Sequence, residues 1–414
     1  MEHFFRKKLA VGAEDSARGA GKLAVGAEDS ARSAGKLALG VGNPSENVDL
    51  PELSTKSGVI ERFLGTIFRE IREKAPYFSE KSVNTVYFGG GTPSFLDSND
   101  IKRIFDEVKR NFLLEKEGFE ATIELNPGTL STQKLSNYLN WGISRASIGF
   151  QSLDDDVLKT LGRIHNRDQA IDAYKMAREA GFKNISVDLM FAIPGQSMAV
   201  WEDTVKRAID LGPEHISLYS LEFMEGTRFD AMRKAGKLIE TDAELDRDMY
   251  ERALDLMEEA GYHQYEISNC AKPGFESKHN MKYWDLSEYV GFGPSAHSYY
   301  SVKKSDKSCN ARFKNPSNLE EYINNPLGSE CYSENSFQDD ITEYTFTGLR
   351  KAEGIDKNRF YAKFGEDIWD FYGDFIHKEF LAFASAGFAV ETPERINLTR
   401  KGFSISNRIM ELFV

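Results

Sequence analysis

Cysteine is scarce in this chain, with three in 414 residues, at positions 270, 309 and 331. So few, so widely spread, argue against a disulfide framework and suit a reducing cytoplasm. Long apolar runs are absent as well. No stretch approaches the roughly 20 apolar residues of a membrane-spanning helix. Phe4-Phe5 gives way to Arg6-Lys7-Lys8 where the core of a signal peptide would have to continue. Basic charge is the third deficit: 52 Lys and Arg stand against 65 Asp and Glu, a net charge of −13, which speaks against non-specific nucleic-acid binding. The remaining composition, 41% hydrophobic and 28% charged, predicts a soluble cytoplasmic chain with one barrel-sized domain and a smaller one.

The first residues repeat themselves. KLAVGAEDSARGAG at 8–21 is followed by KLAVGAEDSARSAG at 22–35 and a partial third copy, KLALGVG. The unit is far shorter than a solenoid repeat, and its small, polar residues offer little to a core. Residues 1–55 are therefore expected to form a low-complexity tail without chemistry of its own.

Beyond the tail, strands and helices alternate. Val83, Val86, Tyr87 and Phe88 form a mostly apolar run that predicts a buried strand. Gly89, Gly90 and Gly91 follow at once, then Thr92 and Pro93. Glycines after a strand let the backbone approach a ligand and offer N–H groups to it, although a plain tight turn would use them too. Further strands are predicted at 121–125, 145–150, 185–190 and 215–221, with helices near 99–111, 133–140, 167–180 and 200–211. Such βα units argue for a parallel sheet whose ligand sits at the carboxyl ends of its strands. There the glycine loop, Glu124, Gln151 and Asp188 would converge. From about Asn318 the pattern changes to short amphipathic helices, near 320–323, 341–350, 357–364, 368–386 and 402–412, with a strand pair near 389–398.

Read in order, GGGTPS, IELNPGTL, SIGFQSLDDDVLKTLGRIHN, SVDLMFAIPGQ, HISLYSLE, YEISN, HNMKYW and YVGFGPSAHSY resemble the coproporphyrinogen III oxidase-like branch of the radical S-adenosylmethionine (SAM) enzymes. The nearest group is the HemW-type heme chaperone family, and the likeness runs from about Val59 to the C-terminus. It implies an α/β fold: a partial TIM-like barrel over 56–300 and a small C-terminal helical, winged-helix-like domain over 301–414. It implies a SAM-type site at Gly90, Gly91, Thr92, Glu124, Gln151, Arg163 and Asp188. A carboxylate suits ribose hydroxyls, and an arginine suits the methionyl carboxylate.

The HNxxYW segment implies heme handling, with His279 as the iron ligand and Tyr283 and Trp284 as flat contacts. Lys278 or Lys282 would meet the propionates. Taken only as side chains, the packing reading is favoured, with His279 bonded to a neighbouring loop and Tyr283 and Trp284 packed; the resemblance brings the heme reading level with it. His297 is a weaker candidate, and His165 and His215 read as structural.

The family also implies a [4Fe–4S] cluster held by a CxxxCxxC loop, yet no cysteine precedes Cys270. Radical catalysis is accordingly not expected, and the abrupt passage from repeat to family-like helix predicts a rearranged or truncated start. Without the family's first strand, the 83–88 strand would expose an edge, and exposed edges invite self-association, so a homodimer, aggregation or low stability is expected. The favoured function is heme delivery to apo-hemoproteins. The rivals are an oxygen-independent coproporphyrinogen III oxidase of porphyrin biosynthesis and an inactive remnant.

Overall fold

The structure, a computed structural model, describes residues 56–414 apart from 224, 226, 305 and 306. The tail expected over 1–55, and the start read into it, lie outside the described residues. Seven strands form one sheet: β1 (Thr85–Phe88), β2 (Glu120–Leu125), β3 (Arg145–Gln151), β4 (Asn184–Phe191), β5 (His215–Ser220), β6 (His263–Glu266) and β7 (Asn269–Ala271), in the order β1-β2-β3-β4-β5-β7-β6. β1 runs parallel to β2 and β4 parallel to β5, while β7 pairs antiparallel with both β5 and β6.

Helices α1 (Lys56–Lys74), α2 (Ser98–Asn111), α3 (Thr132–Trp141), α4 (Asp155–Thr160), α5 (Arg167–Ala180), α6 (Met198–Leu211), α7 (Arg228–Lys234) and α8 (Ala243–Glu259) intervene. Their limits are written in side chains. Asn166 and Gln169 close a capping box at the start of α5, and Gly181 ends that helix with a left-handed backbone. Then come α9 (Lys278–Trp284), the antiparallel strands β8 (His297–Lys304), β9 (Lys307–Lys314) and β10 (Cys331–Glu334), and α10 (Leu319–Asn324). The C-terminal part holds α11 (Phe337–Gly348), β11 (Ile355–Asp356), α12 (Lys357–Phe364), α13 (Ile368–Ser385), β12 (Ala389–Glu391), β13 (Arg395–Leu398), α14 (Arg400–Phe403) and α15 (Ser406–Met410).

The chain divides into two compact units. One takes the residues up to Ala146 together with Glu288–Ser336, the other Ser147–Ser287 together with Phe337–Val414. In the first, Leu64, Ile67 and Ile71 of α1 pack with Phe78, Ile104, Val108, Phe112 and Tyr300. Within it lies a buried ionic knot. Glu70, wholly buried, accepts from Lys74 Nζ at 2.6 Å, Asn315 Nδ2 at 2.7 Å, Gly293 N–H at 2.9 Å and the Tyr322 hydroxyl at 2.7 Å. Every carboxylate oxygen there has two donors, the condition under which a buried charge is tolerated.

In the second unit, Ile341, Leu349, Phe360, Phe380, Ile396, Ile409 and Phe413 form the core of the C-terminal part. That part is joined to β6 by backbone. Ile267 N–H donates to the Arg350 carbonyl at 3.1 Å and Ala352 N–H to the Tyr265 carbonyl at 3.0 Å, so residues 350–352 lie antiparallel along β6.

The 83–88 run differs from its reading. It splits at Asn84 into Ser82–Val83, which pairs with Leu113–Leu114, and β1. Only Thr85 of β1 is buried, because β1 is the end strand of the described sheet. Among the described residues, no helix is long and apolar enough to cross a membrane.

Candidate functional site

In the first unit the glycine loop and the end of β2 meet. A Cβ on Gly89 would fall 2.4 Å from Tyr87 Cε1 and 2.7 Å from Glu124 Oε1, so only glycine lets the carboxylate come so near the turn. Glu124 accepts from the Tyr87 hydroxyl at 2.9 Å and from Gly90 N–H at 3.2 Å. The two loops that follow β1 and β2 are tied together by Ser94, whose Oγ accepts from Asn126 N–H at 3.1 Å and from the Thr129 hydroxyl at 2.7 Å. Gly90 and Glu124 are thus brought together, with Gly91 and Thr92 on the same loop.

In the second unit Asp188, in the middle of β4, accepts from the Ser147 hydroxyl at 3.2 Å. Gln151 closes β3 on the same side of that strand as Ser147, since alternate residues share a face. Its backbone is left-handed, with φ 64°, and so is that of Ala192 just past β4, with φ 57°. Strain of this kind in residues other than glycine gathers at ligand sites. Neither conformation is legible in the sequence. Arg163 follows α4, its N–H on the Leu158 carbonyl. Burial and then the charge of Asp188 push the Tyr219 phenol well above its ordinary range.

Also in this unit, α9 carries the HNxxYW segment. Ser277 caps it, accepting from Asn280 N–H at 3.3 Å. His279 and Tyr283 stand one turn apart on one face, with Nε2 3.0 Å from the hydroxyl and the rings edge-on, centroids 5.3 Å apart. Both are half-buried. Trp284 instead points inward and is only 7% exposed, with the Arg350 guanidinium 4.4 Å from its ring centroid. A ring already covered by a cation is an anchor for the helix. It presents no open face to a flat cargo.

His165 and His215 are buried and bonded, His215 lying 2.8 Å from both Ser186 and Tyr265, as structural histidines should be. His297 opens β8, in the first unit. Arg350 and Glu266 are not reached from the sequence, because neither ends a predicted strand beside a loop. Glu266 carries a sequence signal only as part of the YEISN motif.

The cysteines do not fit an iron–sulfur cluster. Cys270 is buried in the second unit, and burial pushes its thiol up, away from the thiolate that iron requires. Cys309 and Cys331 belong to the first unit, where Cys331 stands opposite Lys314 and Cys309 opposite Val302, far along the ladder. Among the described residues no grouping of His, Cys, Asp and Glu is suited to a metal ion. No chemical step is routed through such a cluster.

Comparison with known proteins adds matches to two family models, two relatives and one solved structure. The radical SAM superfamily matches residues 65–208, and the HemN C-terminal domain matches 336–405. Heme chaperone HemW of Bacillus subtilis (strain 168) is 32% identical over 376 residues, covering 88% of this chain and 94% of the relative. Heme chaperone HemW of Lactococcus lactis subsp. lactis (strain IL1403) is 32% identical over 357 residues, with 86% and 90% covered. The solved structure of coproporphyrinogen III oxidase (HemN) from Escherichia coli, a radical SAM enzyme, superposes with a TM-score of 0.71 at 22% identity, over 86% of this chain and 83% of that one. At that identity the likeness speaks for the fold, the partial radical SAM barrel.

Proposed function

Since this chain belongs to the heme chaperone HemW family of the radical SAM superfamily, we propose that it binds heme as cargo and delivers it to apo-hemoproteins. The observation that carries the proposal is the pairing of His279 with Tyr283 on α9, within a chain that covers nearly all of those relatives. Imidazole is a common ligand of heme iron, and His279 would supply it. Lys278 and Lys282 lie on the neighbouring row of the same helix, one turn apart, where they would meet propionates. Trp284 would hold the helix down from within.

Gly90, Gly91, Thr92 and Glu124 in the first unit, and separately Gln151, Arg163 and Asp188 in the second, carry groups of the kind that would serve a SAM molecule. Their polar groups suit its amino-acid and ribose ends. In the family SAM supplies radical chemistry only beside a cluster, and the cysteines here form no ligand set, so SAM binding is expected to be weak. The oxidase alternative rests on fold likeness and on that cluster, and the geometry favours the chaperone.

The test is a hemin titration of the whole chain followed by its Soret band. His279→Ala should weaken binding tenfold or more, while His263→Ala, on the exposed face of β6, leaves it unchanged. Equal binding by both variants removes His279 as the ligand, and no binding by the parent removes the function.

A further inference from the structure

α9 has seven residues, too few to hold a helical conformation unaided. Its start is fixed by Ser277, whose N–H reaches the Tyr265 hydroxyl at 3.3 Å. Its end is gripped by three cations, all from beyond Phe337. The Arg350 guanidinium lies over the Trp284 ring, 4.4 Å from its centroid. Lys351 Nζ meets Asp285 Oδ1 at 2.5 Å. Lys363 Nζ donates to the Leu286 carbonyl at 3.4 Å, where the backbone is turned left-handed at φ 46°. Three consecutive residues are thus each held by a different cation.

Arg350 is the costly member. Its side chain is only 11% exposed, and its nearest carboxylate, that of the wholly buried Glu266, stands 3.8 Å away, outside hydrogen-bond reach. Glu266 Oε1 is occupied by Ser268 N–H at 3.0 Å and by the Asn269 amide. Among the described residues, Arg350 Nε, Glu266 Oε2 and Trp284 Nε1 have no hydrogen-bond partner. An arrangement selected for stability would replace such a pair with apolar side chains, commonly at no loss. A guanidinium held over an indole, 4.4 Å from its centroid, fixes the indole's position, a task that neither lysine nor an aliphatic residue performs as well.

We infer that Arg350, with Lys351 and Lys363, is a positioning device through which the C-terminal domain sets the orientation of α9 and hence of His279. The inference deepens the heme reading and rests on it for the identity of the cargo. The positioning itself does not need heme to be seen. Met281, Asp285, Leu286 and Ser287 donate their N–H groups within α9 and its end, so their exchange with solvent reports how firmly the helix is held.

The experiment compares the whole heme-free chain with Arg350→Gln, with the double variant Glu266→Gln/Arg350→Gln, and with Arg408→Gln as a surface control. Amide exchange is read over 281–287, and the Soret position and affinity for hemin are read alongside. The double variant leaves no buried charge unpaired, which guards against simple unfolding. The expected result is exchange at least tenfold faster over 281–287 in both Arg350 variants, little change over α6, and a shifted Soret band with about tenfold weaker heme binding. Unchanged exchange over 281–287 in the double variant overturns the inference, whatever heme does. Faster exchange with an unchanged Soret band overturns the link from Arg350 to His279. Faster exchange in a chain whose parent takes no heme upholds the positioning of α9 and sinks the proposed cargo instead.

Discussion

Tyr283 is bonded to the very nitrogen of His279 that iron would take, at 3.0 Å. Iron binding at Nε2 must break that bond, whose net worth is about 1 kcal/mol. Tyr283→Phe should therefore tighten heme binding roughly fivefold, read from the same titration. Weaker binding by this variant would place the iron on Nδ1, with Tyr283 steering the ring. In the first unit, Glu70 gives a sharper loss. Glu70→Ala leaves Lys74 charged and buried without its carboxylate, and the expected cost is about 3–5 kcal/mol in a chemical denaturation of the whole chain. Tyr322→Phe should cost less, about 1.5–3 kcal/mol, as the loss of one donor to a charged group. Burial and the Glu70 charge push the Tyr322 phenol up, so the hydroxyl keeps its proton and stays a donor.

Among the elements, α13 carries a feature that no periodicity could foretell. Helical geometry fails at Gly373, with φ 80° and ψ 166°, a conformation nearly confined to glycine. Nothing lies within 4 Å of where a Cβ would sit, so Gly373→Ala would bring backbone strain alone, about 1–3 kcal/mol, measurable as a lowered denaturation midpoint. The sequence pattern shows the helix from 368 onward because apolar residues recur along it, but not the kink, which leaves that recurrence nearly intact. The same division runs through the fold. The βα alternation, α5 and α12 were legible because caps and apolar spacing are local signals. The antiparallel β8-β9-β10 sheet was not, because its strands mix charged and aromatic residues and show no clean apolar alternation. At the candidate site, Glu124 and His279 could be picked out by motif. The roles of Gly89, Tyr87 and Arg350 could not, because each depends on a close approach across many residues of sequence.

Across the whole molecule, charge gives the next expectation. Burial raises the Glu391 carboxyl, but hydrogen bonds from Lys357, His377 and Trp369 outweigh this and hold it below its usual range. A carboxyl depressed in the folded state adds stability that is complete above its unfolded pKa and lost as pH falls through the folded one. Melting of the chain should therefore come at lower temperature as pH drops from about 5 towards 3, and Glu391→Gln should flatten that dependence. A chain ended after Ser336 should fare worse. It leaves the edge of β6 without residues 350–352, and Asp255 and Glu258 of α8 without Arg400. It should show fast amide exchange throughout 263–287, and native-like protection there would contradict the division into units. The order of synthesis gives the backbone seam along β6 a further meaning. A ribosome releases α9 well before Lys351, 66 residues after its partner Asp285, so the growing chain carries His279 unheld for several seconds. If α9 is the heme segment, it would be shaped for its cargo only after residues 350–363 have left the tunnel. On that reading, a nascent chain would take up heme only once α9 can hold it.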